Sequence, residues 1–193
     1  MLEPVGGWPK RAIDIIGASF GLVVLAPLLL LLAIVVRLET RGPSLFRQRR
    51  GGYRGRVFLV WKFRTMRTLE DGGVVQQVRE SGDPRVTRVG GFMRRTNLDE
   101  LPQLINVIRG EMSLVGPRPH AVAHDEQFSG VAPHYWERHK ARPGITGLAQ
   151  VSGCRGETRD ADSVRKRVKY DLEYIARWSI WLDFSIIART LKL

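Results

Sequence analysis

The sequence predicts an α/β fold: an N-terminal membrane segment followed by a compact domain with a short β-hairpin and amphipathic helices. Three observations carry that expectation. No residue from Ile15 to Val36 is charged, residues 44–66 alternate in polarity around a glycine cluster, and residues 103–109 place Leu104, Ile105 and Ile108 at helical spacing.

The N-terminal run supplies about the twenty apolar residues that a bilayer-crossing helix needs. It does not read as a cleaved signal peptide, because it is too long and no small-x-small site follows it. Pro27 sits mid-run, where it removes a backbone hydrogen bond and kinks or breaks a helix. Basic residues flank both sides: Lys10 and Arg11 before, then Arg37, Arg41, Arg47, Arg49 and Arg50 after. The positive-inside rule therefore assigns no orientation. Two arrangements satisfy these facts, a kinked transmembrane helix or a segment that enters, bends at Pro27 and leaves on the same face.

Further along, "SLFRQRRGGYRGRVFLVWKFRTM" reads as two strands joined through Gly51, Gly52 and Gly55. Residues 69–85 read as a loop, with Asp83-Pro84 as a turn signal. Proline is tolerated only in a first helical turn, so Pro102 predicts a helix start close to Asp99 and Glu100. A long polar helix is expected over 157–176. It leads into a segment where Tyr170, Tyr174, Trp178, Trp181 and Phe184 recur at three- and four-residue spacing. That spacing suits a helix lying at a membrane interface, or equally one packed on the domain core.

Lys and Arg total 31 against 19 Asp and Glu, a formal net charge of +12, so anionic partners are expected. These include nucleic acid, an anionic membrane leaflet and phosphorylated small molecules. Cys154 is the only cysteine, which excludes an intrachain disulfide and a thiolate zinc site. The four histidines lack a tight metal-binding motif and read as solvated or loop-packing residues.

The chemistry is concentrated in "RRTNLDELPQLINVIRGEMSLVGPRP". Adjacent acids at a helix start are ordinarily accounted for by free N–H groups and the helix dipole. That explains Asp99 and Glu100 but not the cations around them: Arg94, Arg95 and Arg118, with Lys62 and Arg64 available from the hairpin. Carboxylates among guanidinium groups suit phosphoryl chemistry. Arginine forks bind phosphate oxygens, one carboxylate can ligate Mg²⁺ and the other can attack phosphorus.

These residues carry a resemblance. The chain is similar to the monotopic phosphoglycosyl transferases of the bacterial sugar transferase family. The matching stretches are "KRAIDIIGA", "GPSLFRQRRGGYRGRVFLVWKFRTM", "DPRVTRVGGFMRRTNLDELPQLINVIRGEMSLVGPRP", "ARPGITGLAQVSG" and "YDLEYI…SIWLDFSIIARTL". The resemblance implies transfer of a sugar-1-phosphate from a UDP-sugar to a membrane polyprenyl phosphate, with release of UMP. It implies Asp99 as the nucleophile of a covalent phosphosugar intermediate and Glu100 as its Mg²⁺-associated partner. It places Lys62, Arg94 and Arg118 around the phosphates, Asp171 as a further active-site acid, and Arg142, Pro143 and Gly144 near the nucleotide.

The resemblance also implies a re-entrant helix-break-helix over residues 1–41, broken at Pro27, and a cytosolic catalytic domain over 42–193. The expected location is the cytoplasmic face of the bacterial inner membrane, in contact with membrane lipids and not with nucleic acid. Sugar specificity is expected in the loops around 69–83 and 120–140. The length corresponds to the family's minimal catalytic unit, without the extra spans and second soluble domain of larger members. Three positions depart from the common pattern. Ala26 precedes Pro27 where members often carry Ser, and Gly91 and Asn97 stand where a basic residue and Ser are frequent.

A different class of reading is a non-catalytic membrane-tethered module that binds nucleic acid or anionic lipid, supported by net charge and by the Arg/aromatic mixture of residues 47–64. It leaves unexplained two adjacent acids, which repel a polyanion.

Overall fold

A computed structural model describes residues 3–67, 83–156 and 160–192. Helix α1 spans Gly7–Glu39 and is followed by strands β1 (Leu45–Gly51) and β2 (Val57–Phe63). Helix α2 (Arg88–Thr96), α3 (Gln103–Arg109), β3 (Ser113–Val115) and α4 (Val122–Val131) come next. Strand β4 (Gly144–Thr146) precedes the short α5 (Leu148–Val151), then α6 (Ala161–Arg177) and α7 (Ile180–Thr190). The mixed helix/sheet architecture with a long apolar N-terminal helix is the expected one. Residues 69–82 of the predicted specificity loop, and the first residues of the helix expected from 157, lie outside the described residues.

Helix α1 carries the structure's two-sided character. One stripe packs against the domain along the whole helix. Ala18 joins Phe58 and Val60 of β2 and Leu104 and Val107 of α3, while Leu32 and Val36 join Phe63 and Met93 further along. The other stripe exposes Ile16, Phe20, Val23, Leu30, Leu31 and Leu38. So large an apolar surface left uncovered marks a membrane or partner contact.

Both ends of α1 are tied to the same domain. Near the N-terminus, Lys10 Nζ donates to Asp183 Oδ2 of α7 at 2.6 Å, and Asp14 Oδ1 accepts from the Leu114 N–H and the Ser113 hydroxyl of β3 at 2.9 Å each. At the C-terminus, Arg64 donates to the carbonyls of Thr40 and Arg41 at 2.7 Å each, satisfying backbone acceptors that the helix end and the turn after it leave open. Pro27 lies inside this helix, which continues on both sides of it. The expected bend position at Pro27 falls within this one helical span. A proline removes one hydrogen bond of the ladder, and here five consecutive leucines, Leu28 to Leu32, all good helix formers, follow it.

The hairpin is antiparallel with Leu45 opposite Phe63 and Gly51 opposite Val57, closed by a 3₁₀ turn at Tyr53–Gly55. Strands β3 and β4 pair in parallel, Ser113 with Gly144 and Val115 with Thr146. The C-terminal aromatic repeat divides between two helices rather than lying on one. The chain turns at Trp178, and the Ser179 hydroxyl caps α7 by accepting from the Leu182 N–H at 3.1 Å. Tyr174 is consequently buried, while Trp181 and Phe184 face outward on α7 beside the exposed stripe's N-terminal end.

Candidate active site

Two short helices meet at the acid pair. Helix α2 begins with the Thr87 hydroxyl accepting from the Gly90 N–H at 2.9 Å, and it ends at Asn97, whose φ of 55° is left-handed. Asparagine adopts that conformation more readily than most residues, and the chain reverses there into a 3₁₀ turn of Leu98–Glu100. Helix α3 starts only after Pro102. The acids thus precede the helix that the sequence assigned them to, and neither side chain caps it. Both are buried.

Glu100 is held by cations from two other segments. Lys62 Nζ, from β2, donates to Oε1 at 2.6 Å. Arg118, from the loop after β3, donates Nη1 to Oε2 at 3.0 Å and Nη2 to Oε1 at 2.6 Å. This is the bidentate fork that makes arginine a carboxylate and phosphate ligand. Burial disfavours the Glu100 charge, but Arg118 and Lys62 outweigh it and hold the carboxyl well below its ordinary value. Glu100's charge in turn raises Arg118. Burial lowers Lys62, with Glu100 working against it.

Asp99 behaves oppositely although it is the next residue. Among the described residues nothing donates a hydrogen bond to its carboxylate. Its pKa is raised by burial, with the Glu100 charge adding and Lys62, Arg94 and Arg118 opposing. Arg94 donates Nε to the Thr65 hydroxyl at 2.8 Å, and the Asp99 charge is the main influence offsetting its burial. The structure therefore brings Asp99, Glu100, Lys62, Arg94 and Arg118 into one electrostatic cluster. Two neighbouring carboxylates with pKa values pushed apart mark a division of chemical roles.

The remaining sequence-selected residues fall behind this cluster. Arg64 belongs to the end of α1 and not to the site. Asp171 is buried in a pair with Arg138, at 2.7 Å. Arg142 donates Nε to the Gly110 carbonyl at 3.1 Å, and Pro143 accepts from the Ser113 N–H at 2.8 Å. Gly144 lies so close to the Gly116 backbone that an added Cβ would fall 2.1 Å from its nitrogen. Residues 142–144 thus brace the base of the loop that presents Arg118, and only a glycine allows the two backbones to approach.

Sequence reasoning missed Arg138 and Arg50. Arg50 Nη1 donates to the Pro119 carbonyl at 3.3 Å, and burial, then the nearby Arg118 charge, push its pKa down to about 10. Each stood in a basic run with nothing to separate it from its neighbours. His120 packs as expected of a loop histidine, with Nδ1 2.8 Å from the Tyr135 hydroxyl, and burial holds its ring well below the ordinary range. Tyr135 donates onward to Asp125 at 2.7 Å.

Among the described residues no three His, Cys, Asp or Glu side chains gather as a metal cage. The hard oxygen donors of Asp99 and Glu100 do fit Mg²⁺, which is commonly bound by one or two carboxylates completed by substrate phosphates and water.

The chain belongs to the bacterial sugar transferase family, whose model matches residues 5–193. It is 52% identical over 181 residues to a UDP-glucose:undecaprenyl-phosphate glucose-1-phosphate transferase of Escherichia coli K12, covering 94% of this chain and 39% of that protein. It is also 52% identical over 181 residues to a protein of the same name from Caulobacter vibrioides, covering 94% of this chain and 67% of the relative. An exopolysaccharide production protein of Rhizobium leguminosarum bv. phaseoli is 47% identical over 186 residues, covering 94% of this chain and 92% of the relative. The chain therefore spans well under half the length of the Escherichia coli relative and nearly all of the Rhizobium one.

Proposed function

We propose that this protein transfers a sugar-1-phosphate from a UDP-sugar to a membrane polyprenyl phosphate through a covalent intermediate on Asp99. The observation that carries the reading is the contrast between the adjacent acids: Glu100 is gripped by Lys62 and Arg118, while Asp99 is buried, ungripped and beside it. Burial that raises the Asp99 pKa also makes its ionised form more basic and less solvated, which strengthens it as a nucleophile.

In the first step an Asp99 carboxylate oxygen attacks the sugar-bearing phosphorus. The bond from that phosphorus to the bridging oxygen breaks, and UMP leaves with the electron pair. In the second step an oxygen of the polyprenyl phosphate attacks the same phosphorus. The Asp99 carboxylate is released and the polyprenyl diphosphate-sugar is formed. Lys62, Arg94 and Arg118 stand where they can bind phosphate oxygens and draw off the charge that develops on them. Mg²⁺, held by Glu100 with substrate phosphates and water, would supply Lewis-acid stabilisation of the diphosphate. For it to bind, Glu100 must exchange part of its contact with Arg118 and Lys62, and substrate phosphates are natural replacement partners for those cations.

The exposed stripe of α1 is the membrane contact. A spanning helix separates its ends by a hydrocarbon core of about 30 Å. Here Lys10 at one end and the backbone beyond Glu39 at the other both bond the same domain. That supports a segment that enters and leaves on one face, and the resemblance to the monotopic family is the ground for proposing the cytoplasmic side of the bacterial inner membrane. The relatives' names make UDP-glucose the first donor to test and undecaprenyl phosphate the first acceptor.

The covalent route is tested by incubating purified protein with UDP-glucose and Mg²⁺ without lipid, then mapping peptides by mass spectrometry. A glucose phosphate adduct on Asp99 is the expected result. Lipid-dependent UMP release from protein that never shows an adduct would refute the intermediate.

A further inference from the structure

We infer that Arg138 and Asp171 are positioning residues for Arg118, an inference that rests on the phosphate-binding role proposed for Arg118 above. Arg138 lies in a 3₁₀ turn at Tyr135–Lys140 and Asp171 in α6, and their side chains are only 2% and 1% exposed. Arg138 donates Nε and Nη2 to Asp171 Oδ2 at 3.1 and 2.7 Å, and the same Nη2 donates to the Arg118 carbonyl at 2.6 Å. The acid therefore fixes the guanidinium, and the guanidinium fixes the peptide that carries the forked side chain.

The loop around it is built for the same end. Successive carbonyls of Pro117, Arg118 and Pro119 each accept one hydrogen bond, from the Gly144 N–H at 2.9 Å, Arg138 Nη2 at 2.6 Å and Arg50 Nη1 at 3.3 Å. The two prolines fix φ on either side of Arg118. Only the middle tie lies on Arg118 itself, and its donor is ion-paired with a buried carboxylate, Asp171. A guanidinium that must bridge Glu100 and then meet a substrate phosphate gains from a backbone that cannot drift, since a displacement of about 1 Å at a reacting site can cost on the order of 100-fold in rate.

This assigns Asp171 a place behind the phosphate site rather than in it. Burial raises its carboxyl, with Arg138 opposing. Removing either partner alone leaves an uncompensated buried charge, so unfolding must be separated from mispositioning.

Two variants do this. Arg138→Lys keeps a cation against Asp171 but substitutes one ammonium for a rigid fork. The paired change Arg138→Met with Asp171→Leu removes both buried charges together and replaces the first variant where that one fails to fold. For whichever variant folds, two readouts are taken on the full chain in detergent. The first is the thermal unfolding midpoint alone and combined with Glu100→Gln. Action through Arg118 onto Glu100 predicts a double variant no less stable than the worse single one, whereas independent sites add. The second is UMP release from UDP-glucose, where kcat is expected to fall on the order of 100-fold with KM changed less than about threefold. Additive midpoints, or turnover undiminished in the folded variant, would overturn the inference. Absence of UMP release from wild-type protein with any donor would instead remove the proposed function, and the unfolding comparison would still decide whether Arg138 reaches Glu100.

Discussion

Arg118 grips Glu100 with two nitrogens, Nη1 at 3.0 Å and Nη2 at 2.6 Å, while the adjacent Asp99 receives no hydrogen bond from any described residue. One acid is thereby kept ionised and fixed, and its neighbour is buried with its oxygens uncommitted. The difference arises from direction. The 3₁₀ turn that follows the left-handed Asn97 aims successive side chains apart, and only Glu100 meets the hairpin lysine and the loop arginine.

Replacing Glu100 by Gln is expected to lower stability by about 2–3 kcal/mol, because Lys62 and Arg118 lose the charge that compensates their burial. Denaturant unfolding measures this, and an unchanged midpoint would show that the grip contributes nothing. The same variant should require more Mg²⁺ to reach half-maximal UMP release.

Acid should act on the two carboxylates in opposite senses. Glu100's folded pKa is depressed, so its stabilising contribution is present above the ordinary glutamate value of about 4.3 and is lost as pH falls through the lower folded value. Asp99's folded pKa is raised, so protonation relieves a cost as pH falls, but it also removes the nucleophile. The acid limb of the pH–rate profile is therefore expected above the ordinary aspartate value of about 3.9, at a pH where wild-type protein remains folded. Glu100→Gln removes a charge that raises Asp99 and is expected to move the limb to lower pH, whereas a wild-type limb at or below the ordinary aspartate value would contradict the assignment.

Substituting Arg118 by Lys keeps the charge but loses the fork. It is expected to reduce kcat/KM by about 10–100-fold, equivalent to roughly 1.4–2.7 kcal/mol of transition-state stabilisation. Steady-state kinetics with varied UDP-glucose checks this, and equal activity of lysine and arginine would mean that only charge matters at residue 118.

Topology is open to labelling. With Cys154 changed to Ser, single cysteines in place of Trp8 and Arg41, both exposed and outside the apolar stripe assigned to the membrane, are expected to react with an impermeant maleimide from the same side of sealed vesicles. Labelling from opposite sides would require a spanning helix and contradict the one-domain anchoring of α1.

Much of this site could be read from the chain. Alternation and glycine turns marked the hairpin that delivers Lys62, and the acids, Arg94 and Arg118 stood within one short segment. What could not be read depends on distant partners. Arg138 meets an acid 33 residues away, and nothing local distinguishes it from Lys140 or Arg142. Arg64 shares a motif with Lys62, and in a continued strand the two would share a face; β2 ends at Phe63, and Arg64 turns instead to the carbonyls after α1. Strands β3 and β4 are too short to alternate and exist through their pairing. Thr87 and Ser179 are cap residues that signal the starts of α2 and α7. Reading the second of them would have divided the C-terminal aromatic run.

The most direct measurement is UMP release with Mg²⁺ and undecaprenyl phosphate across a panel of UDP-sugars, wild type beside Asp99→Asn. The prediction is lipid-dependent release with at least one donor, abolished in Asp99→Asn, whose unfolding midpoint equals or exceeds wild type because a neutral amide replaces a buried charge. Substantial release from folded Asp99→Asn protein would contradict it.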